Sequence, residues 1–196
     1  MKYALFPSRL DKDPYCRKFG GAARVQEMAE EKVITISKPI KPFDGLTISL
    51  DFGTVYWACP SPTDEHTGID FCNRSGAPWG TGIYEAGALA PTKAKIYSAK
   101  QGAYGGQVMG VVLDPAFPEN VYWRFFHGGQ VVTEKGRIVQ PGELLMVGTT
   151  RKYAHIHFEL LVFRKDSPYW VWAVNPWAFA DMSWEPFQAF RKKVSK

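Results

Sequence analysis

Cysteine is scarce in this sequence, and its three copies, Cys16, Cys59 and Cys72, show no C-x-x-C spacing. Neither a disulfide framework nor a thiolate zinc cage is therefore expected. The simplest interpretation is three reduced, partly buried thiols. The alternative is a single pairing of Cys59 with Cys72.

Long apolar runs are also missing. No stretch approaches the roughly 18 to 20 uninterrupted apolar residues that span a bilayer, so no transmembrane segment is expected. The first ten residues hold no apolar core of signal-peptide length, and we expect a chain without a signal peptide that is made in the cytoplasm of its producer. With 45% apolar and 22% charged residues, the composition is typical of a soluble globular protein.

The charge is moderately basic, with a net charge of +5 at pH 7. A positive excess suits an anionic partner such as nucleic acid, a membrane surface or a bacterial cell wall. Charge alone does not choose among these three.

The pattern along the chain predicts three regions. Residues 1–45 form an N-terminal extension with one helical candidate at residues 22–32, residues 46–180 form a β domain, and residues 181–196 form a basic C-terminal tail. Short alternating runs between Pro, Gly and Asp predict strands and an all-β fold class. They begin with V-I-T-I-S at residues 33–37 and end with A-H-I-H-F-E-L-L-V-F at residues 154–163. Residues 73–92, with four glycines and two prolines, are too irregular for a core strand.

Histidine is rare as well, and all four copies fall in three short clusters. These are H-T-G-I-D at residues 66–70, the lone His127, and H-I-H at residues 155–157. Imidazole nitrogen and carboxylate oxygen are preferred zinc ligands, and a catalytic zinc needs three protein ligands with a fourth position left open. Together the clusters indicate one hydrolytic metal site.

The last predicted strand shows how two of these histidines relate. Because side chains alternate between the faces of a strand, His155, His157 and Glu159 share one side, while Ile156 and Phe158 share the other. Both histidines therefore point the same way, close enough for one to bind a metal while the other acts on a water.

The order of the motifs resembles that of the lysostaphin-type (LytM-like) zinc metalloendopeptidases of bacterial cell walls. That family combines an H-x-G-x-D cluster, a middle histidine, a glycine-bounded hairpin, an H-x-H-F-E strand and a closing D/N-P dipeptide. The matching segments here are H-T-G-I-D-F (66–71), F-F-H (125–127), G-R-I-V-Q-P-G-E-L-L (136–145), H-I-H-F-E-L (155–160) and N-P-W-A-F (175–179).

The resemblance implies a compact antiparallel β-sheet or sandwich of the duplicated-hybrid-motif type that binds Zn²⁺. It makes His66, Asp70 and His157 the zinc ligands, His155 the general base and His127 the residue that stabilises the transition state. The implied activity is hydrolysis of peptide bonds in peptidoglycan, with peptidoglycan as partner and no nucleic acid. A phage lysin or virion-associated lytic protein fits this expectation, and the oligomeric state stays open.

The sequence departs from the family pattern in three places. Residues 52–54 read F-G-T where the family has F-G-x-R, residues 149–154 read T-T-R-K-Y-A where it has S-T-G-P, and residues 73–92 form an insertion. None of these changes removes a ligand or a catalytic residue. Two alternatives stay open: a non-catalytic metal-binding virion or cell-wall-binding module on this fold, and a zinc hydrolase of another specificity.

Overall fold

The fold is known from a computed structural model, which describes residues 3–6, 28–42, 45–54, 66–73, 86–118, 120–149, 154–163 and 171–188. Eleven strands lie in these ranges: β1 (Tyr3–Phe6), β2 (Leu46–Leu50), β3 (Ile69–Asn73), β4 (Gly87–Leu89), β5 (Ala94–Gly102), β6 (Gly105–Val112), β7 (Val121–Gly128), β8 (Ile138–Val139), β9 (Leu144–Val147), β10 (His155–Phe163) and β11 (Val171–Val174). Two short 3₁₀ helices, Pro176–Phe179 and Met182–Trp184, follow β11.

Strand β10 lies at the centre of a nine-stranded sheet. On one edge it pairs with β7, and on the other it pairs first with β3 and then with β11. The sheet continues from β7 through β6 and β5 to β8, and β2 extends it beyond β3. The β1–β11 pair is parallel and the other pairs are antiparallel, while β4 and β9 form a separate two-stranded sheet.

The two faces of β10 differ as the alternation predicts. Ile156, Phe158 and Leu160 belong to the main apolar core, where the Phe158 ring packs 4.9 Å from the ring of Phe125. The opposite face carries His155, His157 and Glu159. The main core thus packs against one face, and the polar residues of β10 lie together on the other, next to Leu161 in a smaller apolar cluster.

The core extends beyond residues 46–180 on both sides. Ile34 and Ile36 from the N-terminal region, and Trp184 and Phe187 from the C-terminal region, are buried in it. The indole N–H of Trp184 donates to the backbone carbonyl of Ile36 at 3.0 Å, which ties the two regions together. The basic residues 191–196 lie outside the described ranges.

Three local predictions need correction. Residues 33–37 form no strand, because Ile36 makes only an isolated bridge to Ala180 although Ile34 and Ile36 alternate into the core. Residues 73–92 do contain a buried strand, the three-residue β4. Residues 136–148 do not form a hairpin, since β8 pairs with β5 and β9 with β4.

Of the helical candidate at residues 22–32, only the turn at residues 28–30 is helical among those described. Cys72 is a buried free thiol, and Cys16 and Cys59 lie outside the described ranges, so their state stays a prediction. No helix in the described part of the chain is long and apolar enough to cross a membrane.

Candidate metal centre

Asp70 and His157 face each other across neighbouring strands. In the antiparallel β3–β10 pair they are direct register partners, and Nδ1 of His157 lies 2.7 Å from Oδ1 of Asp70. Both residues are buried. Sheet pairing therefore joins the second half of H-x-G-x-D to the second histidine of H-x-H.

His66 reaches the same carboxylate from the segment before β3. Its Nε2 lies 3.2 Å from Oδ1 of Asp70, and its Nδ1 donates to the backbone carbonyl of Asp51 at 3.2 Å. Trp177, in the closing N-P-W segment, donates its indole N–H to the Asp51 carboxylate at 2.6 Å. The side chain of His66 thus has its Nε2 directed at Asp70 and its other nitrogen engaged.

Gly68 in H-T-G-I-D is required by a close backbone approach. A Cβ atom at this position would lie 2.1 Å from the carbonyl oxygen of Phe158 and 2.9 Å from Nε2 of His157. Any side chain would push β10 away from the segment that carries His66 and Asp70. The glycine therefore allows the ligands to converge.

A second buried carboxylate, Glu159, lies behind His157. Its Oε1 is 2.9 Å from Nε2 of His157 and also accepts from the hydroxyl of Thr67. Its Oε2 accepts from Nε of Arg124 at 2.7 Å, and Arg124 lies 4.3 Å from the ring centre of Phe126. Glu159 is thus held by three donors from three segments.

The two remaining histidines lie beside the three buried residues and are more accessible. The side chain of His155 is 24% exposed, against 6% for Asp70, and its Nε2 is 3.8 Å from Oδ2 of Asp70. The ring centres of His127 and His155 are 4.7 Å apart. Nδ1 of His127 donates to the backbone carbonyl of Tyr104 at 3.3 Å, which leaves Nε2 as its free nitrogen.

The backbone of His127 is unusual. Its φ is +64°, in the left-handed region that non-glycine residues rarely adopt. Close contact with the β5–β6 turn accompanies this conformation, since a Cβ on Gly105 would lie 2.6 Å from the carbonyl oxygen of Gly128 and 3.1 Å from the Cα of His127. Such backbone strain is concentrated at functional sites.

Burial and neighbouring charges shift the pKa values of four groups in the site. Burial opposes ionisation of Asp70 and Glu159, but hydrogen bonds and the charges of His157 and Arg124 outweigh it, so the pKa of Asp70 is lowered well below its usual range and that of Glu159 falls to about 2. Burial also opposes the charge on His157, but Glu159 and Asp70 raise its pKa to about 9. Burial and the nearby His155 lower the pKa of His127.

These residues fit a zinc ion. One donor atom from each of His66, Asp70 and His157 lies within 4.8 Å of the other two, and all three residues are buried. Two imidazole nitrogens and a carboxylate oxygen form a common catalytic zinc set. Each imidazole also places its other nitrogen against an acceptor, as ligating histidines do.

All five residues predicted for the site come together in the structure. His66, Asp70 and His157 form the group that could hold a metal, and His127 and His155 lie next to it. The roles assigned to the five stay predictions. Sequence reasoning placed Glu159 on the histidine face without giving it a role, and it missed Arg124, Thr67 and the carbonyls of Asp51 and Tyr104, which no local spacing indicates.

The fold of the chain is similar to the folds of chains in several solved structures. The chain is similar to a chain in the crystal structure of the SpoIIIAH and SpoIIQ complex, with 17% identity and a TM-score of 0.51 over 74% of this chain and 99% of that one. The catalytic domain of the antimicrobial peptidase lysostaphin from Staphylococcus simulans is 21% identical, with a TM-score of 0.47 over 68% of this chain and 90% of that domain. LytU is 24% identical, with a TM-score of 0.44 over 69% of this chain and 85% of that one.

The chain matches no protein-family model and no curated protein. At these identities a likeness concerns the fold alone, and at that level the expectation is confirmed. The chain has an all-β fold that is built mainly from antiparallel strands and is similar to the fold of a chain in the SpoIIIAH–SpoIIQ complex.

Proposed function

We propose that this protein is a zinc-dependent endopeptidase that hydrolyses peptide bonds in the stem or cross-bridge peptides of bacterial peptidoglycan. The observation that carries the proposal is the convergence of His66, Asp70 and His157, with their donor atoms within 4.8 Å, beside two accessible histidines on the same face. The order of the five residues along the chain is that of the lysostaphin-type peptidases.

The three buried residues His66, Asp70 and His157 are suited to holding a divalent ion that keeps a net positive charge. Two neutral imidazoles and one carboxylate leave a zinc ion with a net charge of about +1, and bound zinc supplies Lewis acidity that activates water and polarises a carbonyl. Glu159 does not reduce this charge, because Arg124 pairs with it. The site therefore retains the positive charge that peptide hydrolysis requires.

His155 and His127 are suited to moving the proton of the attacking water. His155, which is closer to Asp70, is the proposed general base. The lowered pKa of His127 keeps it neutral near pH 7, with Nε2 as acceptor while Nδ1 donates to Tyr104. His127 can therefore donate a hydrogen bond to a developing oxyanion only after it has gained a proton, which links its role to that of His155.

Peptidoglycan as the substrate class rests on the motif order and on the basic charge of +5, which suits anionic wall polymers. We further propose that the protein acts on the wall during phage lysis or as part of a virion.

The test is clearing of purified peptidoglycan in a gel by the wild-type chain, with and without a chelator. We expect clearing that the chelator abolishes and added zinc restores, and that His155→Ala loses. Met182→Ala, a change of an 83% exposed side chain, serves as the control and should clear normally. Clearing that persists in chelator would contradict a zinc mechanism. Zinc binding without cleavage of peptidoglycan or of synthetic cross-bridge peptides would instead establish a non-catalytic module.

A further inference from the structure

We infer that Glu159 is a positioning residue for the metal: it selects the nitrogen of His157 that binds the ion, and Arg124 and Thr67 hold it in place for that purpose. This inference rests on the proposed zinc site. It assigns a role to a buried ion pair that the five residues of the motif order do not include.

The two ring nitrogens of His157 have different partners. Asp70 faces its Nδ1 at 2.7 Å and Glu159 faces its Nε2 at 2.9 Å, so the two ring nitrogens meet two different carboxylates. Asp70 is also the partner of His66 at 3.2 Å, whereas Glu159 pairs with Arg124. Zinc therefore belongs on the Nδ1 side, and Glu159 accepts the remaining N–H.

Glu159 is itself held in one orientation by its hydrogen-bond donors. A buried carboxylate next to a metal site would compete for the ion unless its oxygens were engaged. Oε2 accepts from Arg124 at 2.7 Å and Oε1 accepts from Thr67 and His157. These contacts use both oxygens, so that Glu159 supports a ligand without becoming one.

The three donors to Glu159 come from different segments. Thr67 lies between His66 and Asp70 in sequence, Arg124 comes from β7, and His157 comes from β10. Glu159 therefore connects the segment that supplies two ligands to the strand that supplies the third. Loss of its charge would loosen the third ligand relative to the first two.

The test is zinc affinity, measured by competition with a chromophoric chelator, for Glu159→Gln and for the control Glu143→Gln. The control removes the same charge from another Arg–Glu pair, Arg137–Glu143 at 2.8 Å, which contacts no histidine within the described residues. We expect Glu159→Gln to weaken zinc binding about 10- to 100-fold and Glu143→Gln to leave it within about twofold of wild type. Equal affinities for wild type and Glu159→Gln would overturn the inference.

A second measurement separates positioning from general destabilisation. With four histidines in the chain, long-range ¹H–¹⁵N spectra can report the protonated nitrogen of each ring. In the zinc-loaded wild type we expect His157 to carry its proton on Nε2, and in Glu159→Gln we expect the His157 signals to shift or broaden while those of His66 stay. A His157 with its proton on Nδ1 in the wild type would contradict the inference.

Should Glu159→Gln fail to fold, Thr67→Val decides, because it removes one donor to Glu159 and keeps the shape of the side chain. It should weaken zinc binding by about three- to tenfold, in proportion to the loss of one of three donors; an unchanged affinity would then count against the inference. Failure of the wild-type chain to bind zinc at all would contradict the proposed function instead, so the two failures are distinguishable.

Discussion

The histidines of the site form two groups with different surroundings. His66 and His157 are buried, and each has both ring nitrogens beside an acceptor, one of them in Asp70. His127 and His155 lie side by side on the more exposed part of the site, with ring centres 4.7 Å apart. The first group is thus fixed by acceptors on both ring nitrogens, as expected of metal ligands, whereas the second lies nearer the solvent, as expected of groups that move a proton.

The largest expected effect comes from removing a buried ligand. His157→Ala should lose stoichiometric zinc, because Asp70 and His66 alone do not make a catalytic zinc site. Metal analysis of the purified variant beside His155→Ala measures this, and His155→Ala should retain one zinc. Equal loss of zinc in both variants would remove the distinction between the two groups.

The next effect is on the rate. His155→Ala should lower kcat by about 10²- to 10⁴-fold, and His127→Ala by about 10²- to 10³-fold, with zinc retained in each. If the two histidines move one proton together, the double variant should be little slower than the slower single variant. Fully multiplicative effects in steady-state kinetics would show that the two act independently.

The affinity for zinc should depend on pH in a direction set by His157. Glu159 and Asp70 raise its pKa to about 9 in the metal-free chain, so below that pH a proton on Nδ1 must leave before the metal binds. Apparent affinity should therefore rise by up to about tenfold per pH unit between pH 7 and 9, and level off above. The carboxylate of Asp70 has a lowered pKa and adds no pH dependence in this range.

A titration with a zinc-buffered indicator at several pH values checks this expectation. An affinity that does not change between pH 7 and 9 would mean that Nδ1 of His157 carries no proton at neutral pH, and that Glu159 and Asp70 do not raise the pKa of this histidine.

The smallest effect concerns the side chain of Tyr104, whose backbone carbonyl holds His127. His127 is held through the backbone carbonyl of Tyr104, whose side chain is 83% exposed, so Tyr104→Phe should leave kcat within about twofold. Gly105→Ala should lower kcat far more, because Gly105 has a φ of +104° and an added Cβ would lie 2.6 Å from the carbonyl oxygen of Gly128. Steady-state kinetics of the two variants would show whether the backbone of the β5–β6 turn or the hydroxyl of Tyr104 matters.

The sequence predicted the parts of the site that depend on one strand. Alternation along β10 placed His155, His157 and Glu159 on one face, and the structure confirms this. The contact between Asp70 and His157 depends on the register of two strands 87 residues apart, which local spacing does not encode. For this reason only the family resemblance brought the two residues together.

The fold class was predictable from short alternating runs, whereas the partners of each strand were not. Ile34 and Ile36 alternate like a strand because both enter the core, yet their backbone finds no ladder partner beyond one bridge. In residues 136–148, the turn at Gly142, with its φ of +84°, suggests a hairpin, but β8 and β9 pair with different strands. The hydrophobic pattern therefore predicts which residues are buried. Which strands pair with each other depends on the rest of the chain.

The left-handed backbone of His127 also carries a cost in stability. A non-glycine residue with φ of +64° gives up about 1 to 2 kcal/mol relative to a relaxed conformation, and glycine would not. His127→Gly is therefore expected to unfold at a higher temperature than the wild type while hydrolysing more slowly. The variant would then gain thermal stability and lose activity. His127 is therefore a position to leave unchanged when the chain is engineered for thermal stability.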